Sequence, residues 1–71
     1  MTEHKFAWFY EMTPEDLKSF LIKKNVGYRT LAALEAVHAG RSYTDAAKAY
    51  GLTKQTIHIW LLRTTKQLKG E

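Results

Sequence analysis

No cysteine occurs in these 71 residues, which excludes a disulfide framework and any thiolate zinc site. Proline appears once and glycine four times, too few for a Pro- or Gly-rich linker or a low-complexity tract. No apolar run approaches the ~18 residues of a membrane-spanning helix. The N-terminus also lacks the basic stretch, long apolar region and small-residue cleavage site of a signal peptide. The expectation is therefore one soluble, cytoplasmic domain over residues 1–71, with no membrane attachment. Chains of this size bury only about 60% of the surface that their unfolded state exposes. With 45% hydrophobic residues, the chain has enough apolar material for one modest core.

Acidic residues become scarce after the first twenty positions. Residues 1–20 hold Lys5 and Lys18 against Glu3, Glu11, Glu15 and Asp16, a balance of −2. Residues 21–71 hold nine basic side chains against Glu35, Asp45 and Glu71, a balance of +6. An asymmetry of that sign points to a polyanionic partner, although a basic face that only confers solubility is common.

Features of catalysis are equally thin. His4, His38 and His58 share no helical spacing with carboxylates that makes a metal site. Glu15 and Asp16 are adjacent and point in different directions, and no glycine-rich loop marks a nucleotide site. We expect no enzyme, no catalytic or metal-ligating residues, no cofactor and no small-molecule substrate.

What the sequence does have is a series of helix signals. Residues 6–10, Phe-Ala-Trp-Phe-Tyr, lack helical periodicity and suit a short strand or extended arm, because aromatics favour a pleated backbone. We place an N-terminal aromatic arm at residues 1–11. Thr13-Pro14-Glu15-Asp16 then starts a helix: a cap, a proline at the first position and two acids at the positive end of the dipole. Leu17, Phe20 and Leu21 form its inner face, and Asn25 and Gly27 end it. A second helix is predicted from about Arg29 to Ala39, with Leu31, Leu34 and Val37 or His38 inward and Gly40 as its stop. Ser42 and Asp45 form an acidic variant of the capping box for a third helix, which Gly51 halts. Thr53 caps a fourth from Lys54 to about Leu68, with Ile57, Trp60, Leu61, Thr64 and Leu68 inside. The fold class is all-α, four to five helices, with the short arm at the N-terminus.

Residues 43–62 carry the functional signal. Two helices that cross through a short turn need a small residue where they touch, and Ala47 lies four before the glycine. The turn needs a residue free to adopt the left-handed conformation, which Gly51 supplies. Apolar residues must fill the angle, and Ala46, Tyr50, Leu52, Ile57 and Trp60 have the right offsets. A cap must follow the turn at once, and Thr53 does so. Each requirement is common alone, but together in twenty residues they specify a helix-turn-helix. A hairpin that only packs is usually acidic or neutral on the outer face of its last helix. Here that face shows Lys54, Gln55, His58, Arg63 and Lys66, with no acid before Glu71.

The second helix of such a motif presents base-reading side chains from its N-terminal part. Lys54 is suited to guanine, Gln55 to adenine and Ile59 to a thymine methyl, and His58 on the outer face to a base or a phosphate. Lys54 also suits a phosphate alone, and His58 an idle surface position. Arg41, Ser42, Tyr43, Thr44, Lys48, Thr53, Arg63 and Lys66 are placed to hold the backbone without reading sequence.

The run Ala46-Ala-Lys-Ala-Tyr-Gly-Leu-Thr-Lys54, together with Met12-Thr13, Val26-Gly27 and Thr30 upstream, resembles the TrfB/KorA-type plasmid repressors over roughly Met12 to Arg63. The resemblance implies a bacterial, plasmid-encoded transcriptional repressor that binds palindromic operators as a homodimer. It also implies DNA contact at Lys54, Thr56 and Arg63. Ile59 departs from the family, which has a base-reading glutamine there, so a different operator is expected. The family's dimerisation segment is missing after Arg63, and the expected substitute is the aromatic surface of Phe6, Trp8, Phe9 and Tyr10. The competing readings are a DNA-binding accessory subunit of a transposase, terminase or recombination complex, and a basic protein-interaction module.

Overall fold

A computed structural model describes residues 6–70, and these form five helices with no strand among them: α1 (Ala7–Glu11), α2 (Pro14–Lys23), α3 (Tyr28–His38), α4 (Tyr43–Ala49) and α5 (Lys54–Leu68). The first five positions of the expected arm, His4 among them, lie outside the described residues. Among the described residues no helix is long and apolar enough to cross a membrane.

The caps fall where the side chains call for them. Thr13, Ser42 and Thr53 each accept a hydrogen bond from the backbone N–H three residues on, at 3.1, 3.1 and 3.2 Å. This satisfies one of the donors that every helix start leaves free. Three helices end in the same way. After α2, Val26 N–H returns to the Leu21 carbonyl and Asn25 N–H to Ile22. After α3, Arg41 returns to Ala36 and Gly40 to Val37; after α4, Leu52 returns to Ala47 and Gly51 to Lys48. This paired closure needs a left-handed residue at its pivot. Asn25, Gly40 and Gly51 fill it with φ of 62°, 118° and 71°.

The helices pack on their sequence neighbours, α2 on α3, α3 on α4 and α4 on α5, with α3 also touching α5. Phe9, Leu17, Leu21, Ala33, Leu34, Ala46, Ile57 and Leu61 are wholly buried at the centre. Ala47 of α4 is buried.

Residues 6–10 differ from expectation: they are a turn entering helix α1, not an extended arm. The Phe6 carbonyl accepts from both Phe9 and Tyr10 N–H. Without a neighbouring strand, an extended segment leaves its backbone groups unpaired, whereas one helical turn pairs them internally. Packing then sets the position. Phe9 is fully buried, its ring edge-on to His38 and Tyr10, and Phe6 is buried against His58. The half-buried Trp8 stands edge-on to Phe20 and donates its indole N–H to Thr65 Oγ1 at 2.8 Å. Thr65 in turn donates to the Leu61 carbonyl at 2.7 Å. Only Tyr10, 40% exposed, offers appreciable surface. Phe6 and Phe9 therefore belong to the core, Trp8 is half-buried against it and Tyr10 stays at the surface.

Smaller differences follow the same logic. Leu68 is exposed because the apolar period of α5 runs past the end of the core, while Thr65, not anticipated, is buried. Leu31 is half-buried and Ala33 takes the inner place. Trp60, expected in the core, is half-buried on the flank of α5.

Candidate nucleic-acid interface

Four residues, Tyr50 to Thr53, join α4 to α5. Gly51 supplies the left-handed pivot and Thr53 the cap, and the Thr53 hydroxyl also pairs with the Thr56 hydroxyl at 2.9 Å. The hydroxyl–hydroxyl bond occupies part of what the Thr56 side chain offers a base edge. Ile57 and Leu61 anchor the inner side of α5. The helix is thereby held rigidly, with its opposite side in solvent.

On that side Lys54, Gln55, Thr56, His58, Ile59, Arg63 and Lys66 are all exposed, Ile59 at 47%. No acidic residue occurs anywhere in α5. At ~1.5 Å rise per residue, Lys54 to Arg63 extends about 13 Å, and Lys66 stands about 18 Å from Lys54. The first two turns thus group the five expected base readers. Arg63 and Lys66 lie further along, where cations suit a backbone.

His58 has neighbours that its sequence position did not suggest. Its ring meets Phe6 edge-on at 5.9 Å and lies 6.1 Å from Tyr43. These contacts bring the start of α4 beside the outer face of α5. Tyr43 is itself half-buried. Burial pushes its hydroxyl pKa from 10.0 up to about 12, and Tyr10, through charge and a hydrogen bond, adds to the rise. Its hydroxyl is therefore engaged with α1, which leaves less of it for a phosphate than a free tyrosine would offer.

Arg41, Ser42 and Thr44 are exposed around the first turn of α4, and Lys48 is exposed in its last turn. Ser42 Oγ is committed to capping Asp45. His38 is structural: its Nε2 donates to the Met12 carbonyl at 2.7 Å, and its ring packs on Phe9. Among the described residues, no group of three or more His, Asp or Glu side chains gathers as a metal site would require.

Two residues outside the expected set border this surface. A shallow groove of about 290 Å³ is lined by Thr56, Ile59, Trp60 and Arg63 of α5 and by Thr30 of α3. Next to Thr30, Arg29 reaches the turn, its Nη1 lying 3.8 Å from where a Cβ on Gly51 would stand. No motif marks Arg29 or Thr30, and the nearest signal was Thr30 within the family resemblance. Compared with protein-family models, curated proteins and solved structures, the chain matches none.

Proposed function

We propose that the chain is a sequence-specific double-stranded DNA-binding transcriptional repressor of the TrfB/KorA type. It binds a palindromic operator as a homodimer, with residues 54–63 in the major groove. One observation carries this reading: an acid-free, exposed helix face of Lys54, Gln55, Thr56, His58, Ile59 and Arg63, held out by a buried inner face and a capped turn. Lys54 and Gln55 in the first turn have side chains suited to guanine and adenine edges, and Ile59 suits a thymine methyl. Arg63, Lys66 and the residues around the start of α4 supply the phosphate contacts that fix register. Repression follows from occupancy, because a protein seated over a promoter excludes polymerase.

A dimer fits this reading because one such helix covers too few base pairs to single out a site in a genome. Two copies about 34 Å apart double the contacts on one face of the duplex. The test is selection from a randomised duplex library, followed by titration of the selected site at several salt concentrations. A palindromic consensus and a steep negative slope of log affinity against log salt are expected, at about −0.9 per phosphate neutralised. A slope near zero, or no enriched sequence, refutes the proposal. Sedimentation on the palindrome checks the dimer, and one copy per site overturns that part.

A further inference from the structure

We propose that the first turn of α3 is a second DNA-contacting element. In it, Arg29, Thr30 and Tyr28 hold the sugar-phosphate strand that runs along the flank of α5. The inference rests on the reading of α5 as the groove-entering helix and extends it to an element outside the helix-turn-helix.

The groove beside α5 carries the argument. Thr56, Ile59, Trp60 and Arg63 follow the three-and-four spacing of one helix face. Thr30 of α3 faces them across the opening. The lining is apolar at Ile59 and Trp60, hydroxylic at Thr30 and Thr56, and cationic at Arg63, with no carboxylate. Thr30, Trp60 and Arg63 suit a deoxyribose with a phosphate beside it, with the base-reading Thr56 and Ile59 at the boundary.

Arg29 supplies a second cation, at the turn. Its guanidinium reaches over the turn at Gly51, two residues before the cap of α5. Among the described residues no acid pairs with it. A planar, forked guanidinium without a carboxylate is well matched to phosphate oxygens. Tyr28, immediately before it, is 82% exposed, the most exposed of the large hydrophobic side chains. It packs against too little for the core to explain it, whereas a tyrosine lying along a sugar-phosphate strand gains both ring contact and a hydroxyl bond. Arg63 in the groove and Arg29 at the turn give the strand two cations, and the charge complementarity selects a polyanion.

The test uses the full chain and the duplex selected from a random library. Affinity is measured against salt for the unmodified protein, Arg29→Ala, Arg29→Lys and Tyr28→Ala, with thermal melting of each as a control on folding. Arg29→Ala should flatten the salt slope by about 0.9, the share of one phosphate. It should weaken selected and scrambled duplexes by the same factor, and Arg29→Lys should restore the slope. Ethylation of single phosphates should reveal at least one position per half-site that blocks the unmodified protein but no longer matters to Arg29→Ala. An unchanged slope and interference pattern in Arg29→Ala overturns the inference, even if affinity falls, because the arginine then only braces the turn. If the unmodified protein shows no salt-dependent duplex binding, the reading of α5 fails and takes this inference with it.

Discussion

Replacing Phe9 tests whether α1 is core or an interaction arm. Phe9 has no exposed surface and its ring meets Trp8, Tyr10 and His38. Truncating a fully buried phenylalanine to alanine costs about 3–5 kcal/mol, the lost transfer energy plus the cavity that remains. A domain of this length has a total stability of roughly 4–11 kcal/mol at 0.05–0.15 kcal/mol per residue. Phe9→Ala should therefore remove about half of the folding free energy, or all of it at the lower bound. Phe9→Leu, which keeps most of the volume, should cost about 1–1.5 kcal/mol. Tyr10→Ala, at the exposed edge, should fall between the two or below. Urea titrations followed by far-ultraviolet circular dichroism, with sedimentation on the same samples, give both stability and mass. The expected result is a large fall in the midpoint for Phe9→Ala, a modest one for Phe9→Leu and no change of mass at constant fold. A Phe9→Ala protein that keeps its midpoint but loses half its sedimenting mass would refute the argument and restore the arm as an interface.

Thr53→Ala should cost about 0.5–2 kcal/mol, since it removes the acceptor for Thr56 N–H; urea unfolding measures it, and a loss confined to DNA binding would contradict a capping role. Tyr43 should ionise near pH 12 in a spectrophotometric titration, and Tyr43→Phe should abolish that late step. Because the folded value lies above the unfolded 10.0, folding favours the neutral hydroxyl. Its contribution is complete below about pH 10 and fades as the pH rises through about 12. Gln55→Ala should lose roughly 1–3 kcal/mol of discrimination at one base position, whereas Arg63→Ala should weaken all duplexes alike. Binding to a randomised library distinguishes the two, and a uniform loss in both would remove Gln55 as a base reader.

Helices α2 to α5 were legible because their ends are written in local chemistry. Thr13-Pro14, Ser42 and Thr53 start α2, α4 and α5 with side-chain oxygens, and Asn25, Gly40 and Gly51 stop α2, α3 and α4 with left-handed pivots, while α3 starts on Gly27 without a side-chain cap. Helix α1 was not legible, since its string of aromatics favours extended backbone locally and only docking onto α2, α3 and α5 side chains makes it a helix. Trp60 was half legible: its ring packs against the core as its bulk suggests, but its angular position on α5 also brings it to the groove beside Thr30. The outer face of α5 was readable from periodicity and charge. The neighbours of that face were not, because Arg29, Thr30 and Phe6 reach it across tertiary distance and carry no spacing signal.

The indole bond from Trp8 to Thr65 spans 57 positions of the chain, while most other helix pairings join consecutive elements. That difference sets an order of events during folding. Neighbouring helices close short loops and associate early, whereas seating α1 against α5 closes a loop whose entropy costs roughly 3.6 kcal/mol by the three-halves RT logarithmic law. The Trp8–Thr65 contact is then the last to form and the first to break, a fraying of the first turn of α1 that leaves the Phe9 ring in the core. Amide protons of Phe9 and Tyr10 should exchange before those of Leu34 or Leu61. Indole emission from Trp8, isolated in a Trp60→Phe background, should lag the gain of helical signal on refolding.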